Sequence, residues 1–152
     1  MNKYVLLTLF LIHINFYSLA QNELEFVEED ITFEITDSIF KIKGIYYFHS
    51  STESYYPISF PFPVESIYSK PFNISVKNLS SKNNINYEIN KDTSSIFFRP
   101  MIKGTTSLLI SYSQELYSNI AKYVLLSTNA WDKPLEKANY KLDVEPNLKI
   151  EV

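Results

Sequence analysis

Few residues in this chain carry chemistry, and they stand apart from one another. Trp131 is the only tryptophan and lies in a polar connection, Asn129-Ala130-Trp131-Asp132-Lys133-Pro134. An exposed indole between Asn129 and Asp132 could stack on a sugar while its neighbours take the sugar hydroxyls, or anchor a protein partner. Large aromatics bury most of their area, which favours a loop anchor whose ring plugs one end of the fold. Arg99 is the only arginine among fourteen basic residues. A planar fork suits a bidentate carboxylate, so a structural ion pair is expected there ahead of an anion site. His49 adjoins Ser50 and Ser51, with Glu53 close by. A Ser–His–acid device depends on convergence in space and not on clustering in sequence, so a solvated strand-end histidine is expected.

The acidic run Glu23, Glu25, Glu28, Glu29 and Asp30 offers oxygen ligands for Ca²⁺ but lacks the D-x-D-x-D loop spacing, and it reads as a solvated leader to the first strand. The sequons Asn73-Ile74-Ser75 and Asn78-Leu79-Ser80 matter only in a eukaryotic secretory route. The chain has no cysteine. Disulfides, thiol nucleophiles, thiolate metal sites and bacterial lipoprotein anchoring are thereby excluded. Of two histidines one, His13, precedes Gln21, so a zinc site of several histidines cannot form within one chain. Gly44 and Gly104 are the only glycines, which rules out a glycine-rich phosphate loop. A net charge of −3 without basic clusters argues against nucleic acid and against anionic membrane surfaces. No catalytic constellation and no cofactor motif is visible.

The N-terminus reads as an export signal. Lys3 gives the positive start, Val5 to Ile12 the apolar stretch, and Ser18-Leu19-Ala20 the small residues before cleavage, with Gln21 as the new N-terminus. The apolar stretch is short against the roughly 20 residues of a spanning helix. Residues 21–152 then form one domain with no further apolar run of spanning length.

The rest alternates with period two, apolar against polar. Such runs are Ile31-Phe33-Ile35, Phe40-Ile42-Gly44-Tyr46-Phe48, Phe72-Ile74-Val76, Ile85-Tyr87-Ile89, Leu108-Ile110-Tyr112 and Tyr140-Leu142-Val144. Each is a strand with one buried and one wet face. Tyr123 to Leu126 reads as a central strand and Leu148 to Val152 as a last one. Ser50–Ser54, Ser80–Asn84 and Lys91–Ser95 read as polar loops, and Lys103-Gly104-Thr105 as a tight turn. Short helical turns are expected within Gln114–Ala121 and Pro134–Ala138. The expected fold is all-β: an antiparallel two-layer β-sandwich, immunoglobulin-like or related, of eight to ten short strands.

Tyr56-Pro57-Ile58-Ser59-Phe60-Pro61-Phe62-Pro63 has prolines only at odd positions. In a strand these point the same way, so one edge loses its donors while Tyr56, Ile58, Phe60 and Phe62 keep theirs on the other. An edge strand with its aromatics facing the core is expected.

Tyr46-Tyr47-Phe48-His49-Ser50, then Phe60-Pro61-Phe62-Pro63, then the late Trp131-Asp132-Lys133-Pro134 loop follow one another in an order that resembles exported bacterial β-sandwich domains of unknown function. The resemblance implies export and an all-β fold, and no catalytic residue. The leading expectation is an exported non-catalytic module of the cell envelope (periplasmic, outer-surface or secreted) that acts by contact with an envelope protein or glycan. A carrier of small apolar ligands or lipids is the alternative, and a hydrolase using paired carboxylates a remote one.

Overall fold

The computed structural model describes residues 24–117, 121, 123 and 133–148. Among these the chain is all-β, with no helix and two sheets. The strands are β1 (Glu25–Ile35), β2 (Ile39–Tyr55), β3 (Ile58–Pro61), β4 (Phe72–Asn78), β5 (Tyr87–Ile89), β6 (Ser95–Phe98), β7 (Met101–Glu115) and β8 (Lys137–Val144). The larger sheet has the order β4-β7-β2-β1-β8 and the smaller one β3-β6-β5. Pairing is antiparallel except between β1 and β8, which run parallel, so the larger sheet is mixed and not wholly antiparallel as expected. A parallel neighbour cannot be reached by a hairpin, and β8 arrives at β1 from the far end of the chain.

The period-two pattern is realised in full along β2 and β7, whereas Phe72, Ile89, Tyr140 and Leu142, expected on buried faces, are exposed. Along β2 the even residues from Phe40 to Ser50 are buried, and along β7 Ile102, Thr106, Leu108, Ile110 and Tyr112 are. Phe60 of β3 meets Tyr46 of β2 edge-on at 5.4 Å and Tyr112 of β7 at 6.1 Å. Phe62 meets Tyr112 at 4.7 Å. These rings join the two sheets in one buried core, and full burial of each large apolar side chain is worth about 1.5–3 kcal/mol.

Two expected connections are instead parts of long strands. Ser50–Ser54 lies within β2, and Lys103-Gly104-Thr105 lies within β7. The β2–β7 register shifts between Ser50 and Ser54, opposite Gly104, whose φ is +55°. The polar residues are a bulge in a continuing ladder, with the glycine supplying the left-handed backbone that the bulge needs. The Ser50 hydroxyl pins the bulge by donating to the Thr52 carbonyl at 2.8 Å. Beyond it Tyr55 pairs Met101, the Tyr56 N–H bonds the Pro100 carbonyl, and Ile58 pairs Phe98. The two strands thus cross together from the larger sheet into the smaller, with Pro57 and Pro100 at the corner.

Segment 56–63 forms the expected edge. β3 pairs only β6 among the described strands, Phe62 N–H bonds the Ser94 carbonyl at 2.7 Å, and Ile58, Phe60 and Phe62 are buried. Ser80–Asn84 and the residues from Lys91 to Ser94 are connections as expected, whereas Ile85 falls outside β5. Neither expected helical turn is present among the described residues: Gln114 and Glu115 end β7, and Pro134–Ala138 is an irregular connection to Glu136 followed by the start of β8. Leu148 is not in a strand, and residues 124–126, 150 and 152 of the other expected strands lie outside the described residues, as does the signal segment with Ala20 and Gln21.

Candidate functional site

From Glu25 onward the acidic run is not a leader but β1, with Glu23 outside the described residues, and one extra residue decides where its carboxylates go. Phe26 pairs Phe48, but the next pair is Glu28 with Tyr47, so Val27 is a bulge. The insertion reverses the alternation. Glu28 and Asp30 turn to the outer face, while Glu29 joins Ile31 on the core face opposite Tyr46.

On the outer face three strands present a grid. Ile45 of β2, Asp30 of β1 and Asn139 of β8 lie in one row, and Lys43, Thr32 and Lys141 in the next. They line an open groove of about 340 Å³. Asp30 is held in place from both sides. The Tyr47 hydroxyl donates to its Oδ2 at 3.1 Å, and the Asn139 amide donates to its Oδ1. Lys141 sits 2.8 Å from Asp143. Lys43 makes no ion pair among the described residues. The upper row therefore offers a carboxylate and an amide, which suit hydroxyl groups. The lower row offers two ammonium groups flanking a hydroxyl, which suit an anion.

Directly behind this face lies Glu29, with 0 % of its surface exposed. Its Oε1 accepts from the Tyr140 hydroxyl at 2.5 Å, and its Oε2 has no hydrogen-bond partner among the described residues. Burial raises the Glu29 carboxyl above its ordinary value, and the Tyr140 bond opposes that only in part. Burial and the adjoining carboxylate push Tyr140 up to about 12. Deeper in, the hydroxyls of Tyr46 and Tyr123 share a bond of 2.8 Å, and both are held well above the usual phenol range, chiefly by burial. The cluster is a buried carboxyl among tyrosines. Among the described residues no cation is paired with it and no histidine stands beside it.

The residues singled out in the sequence do not converge. Asn129, Trp131 and Asp132 lie outside the described residues. Arg99 is exposed beyond the end of β6, and its guanidinium lies 5.4 Å from the centre of the Phe97 ring. No carboxylate pairs with it among the described residues. A flat cation stacked on a ring is the feature lysine would reproduce least well. His49 is mid-strand in β2 and not at a strand end, with Nδ1 3.2 Å from the Thr105 hydroxyl across the ladder. Ser50 is turned inward, on the opposite face of the strand, and its hydroxyl lies 2.6 Å from that of Tyr56. Adjacent strand residues point apart, so His49 and Ser50 cannot form a nucleophilic pair. Among the described residues no three acidic or histidine side chains converge as metal ligands.

Sequence alone placed Asp30 and Glu29 in a solvated leader and gave no role to Lys43, Asn139 or Lys141. Only Glu29 carried a signal: it stands two residues before Ile31 and so shares its face. No known protein-family model matches this chain, and no curated protein matches its sequence.

Proposed function

We propose that the protein is an exported, non-catalytic module that acts by contact, and that the groove on the outer face of β2, β1 and β8 is its contact surface. The frame is read as a two-layer sandwich of immunoglobulin-like kind, the two sheets being its layers and the Tyr46–Phe60–Tyr112 rings its filling. The carrying observation is the two-row grid of Ile45-Asp30-Asn139 beside Lys43-Thr32-Lys141. A glycan bearing an acid group is the occupant these groups fit. Sugar hydroxyls meet Asp30 and Asn139, and the sugar carboxylate meets Lys43 and Lys141.

Export places such a module where envelope glycans are met. N-terminal sequencing of the secreted or periplasmic chain is expected to begin at Gln21. The binding test is an array of acidic and neutral oligosaccharides, probed with the wild type and with Lys43→Glu. That lysine has no ion-pair partner among the described residues, so the variant is expected to keep its thermal midpoint. Retention of acidic glycans by the wild type and at least a tenfold loss in the variant support the reading. Retention of envelope proteins with no glycan bound would move the surface to a protein partner. No retention of either class would sink it.

A further inference from the structure

Sheet edges are the places where a β protein can add a strand, and natural chains usually block them. Among the described strands the two sheets have four edges, and three of these are blocked at least in part. The free side of β3 carries Pro57, Pro61 and Pro63, so Ser59 is its single donor. β5 is three residues long. β4 is covered by the segment that follows it: the Asn78 N–H bonds the Asn83 carbonyl, the Ile85 N–H bonds the Val76 carbonyl, and Lys77 bridges Asn84.

Among the described residues β8 has none of these protections. It is eight residues long, without proline, glycine or a bulge against β1, and it pairs only β1 among the described strands. The N–H of Glu145, just past its end, bonds the Ile35 carbonyl at 2.9 Å. Backbone groups alternate along a strand, so those of Ala138, Tyr140, Leu142 and Val144 turn to the open side. Tyr140 and Leu142 face the core side of the sheet but are 51 % and 49 % exposed, and among the described residues no strand lies beyond them.

We infer that this edge pairs with the β8 edge of a second copy, antiparallel about a two-fold axis through Leu142. The register is argued from β8 itself. With the axis at Leu142, Lys141 stands opposite Asp143 of the second copy, and the reverse pair forms as well. Tyr140 stands opposite Val144, and Leu142 opposite its own equivalent. Opposite charges thus meet on the outer face and exposed apolar groups meet on the inner one. An axis at Lys141 sets ammonium against ammonium. An axis-centred pair is self-complementary, as a closed dimer requires. The joined sheet has ten strands, and the two grooves lie side by side on one continuous face.

Sedimentation velocity over a concentration series tests the pairing. The wild type is expected to dimerise. Leu142→Pro removes an N–H that β1 does not use, so it is expected to weaken the dimer at least tenfold with an unchanged thermal midpoint. Asp143→Lys is expected to weaken it several-fold, and Lys141→Asp combined with Asp143→Lys to restore it. This charge exchange decides the matter if the proline variant fails to fold. A wild type that stays monomeric at hundreds of micromolar overturns the inference. So does a dimer indifferent to all three variants. A monomer that takes up an added extended peptide at this edge assigns it to a foreign strand and overturns self-pairing.

Discussion

Gly44→Ala is the sharpest test of how the inner face of β2 is built. Gly44 occupies a core-facing position with ordinary strand backbone, so alanine meets no conformational strain there. The obstacle is Tyr46. A Cβ at position 44 would lie 2.4 Å from the Tyr46 hydroxyl and 2.5 Å from two of its ring carbons. The ring can move aside only by giving up its contacts. It is fully buried, edge-on to Phe60 at 5.4 Å, and bonded through its hydroxyl to Tyr123 at 2.8 Å. Overpacking costs about 1–3 kcal/mol. Loss of the hydroxyl bond adds about 1 kcal/mol, and loss of the edge-on ring pair about 0.5–1.5 kcal/mol. Relief of glycine's backbone entropy returns about 0.5–1 kcal/mol. The net expectation is a loss of about 2–4 kcal/mol, or roughly 6–15 °C in thermal midpoint for a domain of this length. Urea unfolding measures it directly, and a double-mutant cycle identifies the cause. In a Tyr46→Leu background the ring is gone, and the alanine is expected to cost under about 1 kcal/mol. Equal costs in the two backgrounds would refute the reasoning.

Three further outcomes are expected. Tyr112→Phe removes a buried hydroxyl that has no partner among the described residues, and it is expected to leave stability unchanged or raise it by about 1 kcal/mol in urea unfolding; a loss beyond about 1 kcal/mol means the hydroxyl is bonded. The Glu29 carboxyl is raised in the folded state, so its contribution is fully present below the unfolded value of 4.5 and is lost as pH rises through the folded value. Glu29→Gln keeps an acceptor for Tyr140 without the charge, so its stability relative to wild type is expected to climb between pH 4 and 8; a flat difference contradicts the burial argument. Thr93 holds φ at +58° in the turn between β5 and β6, where a β-branched residue is strained, and Thr93→Gly is expected to gain about 1 kcal/mol; a clear loss would show that the side chain holds the turn.

The core was legible because period two survives wherever a strand is half buried. The runs from Phe40 to Phe48 and Leu108 to Tyr112 needed no tertiary knowledge, and the odd-numbered prolines placed β3 at an edge by donor arithmetic alone. Polar composition misled at Ser50–Ser54 and Lys103–Thr105. A bulge and a turn draw on the same residues, and only the partner strand distinguishes them. The parallel place of β8 beside β1 was not legible, since alternation reports which face is wet and says nothing of the neighbour. The groove was missed for the same reason. Asp30, Thr32, Lys43, Asn139 and Lys141 are ordinary outward residues of three strands, and the register alone makes them neighbours.

The bulge at Val27 joins these threads. Phe26 and Ile31 are five residues apart, so in an unbroken strand they would face opposite sides. Both are buried, and one inserted residue is the least irregularity that allows it. Continuing the alternation from Phe26 without the insertion would turn Glu28 and Asp30 inward and leave Ile31 in water. Two carboxylates would then be buried instead of one, and the groove would lose the acceptor that Tyr47 and Asn139 hold in place. With it, Asp30 reaches the outer grid and Glu29 is the one acid left inside, where the Tyr140 hydroxyl of β8 meets it. The same insertion thus sets the face that presents the groove and ties the edge strand to the core. An acid buried by that geometry is what sequence alone would least suggest, yet the parity of Phe26 and Ile31 requires it once both are inside.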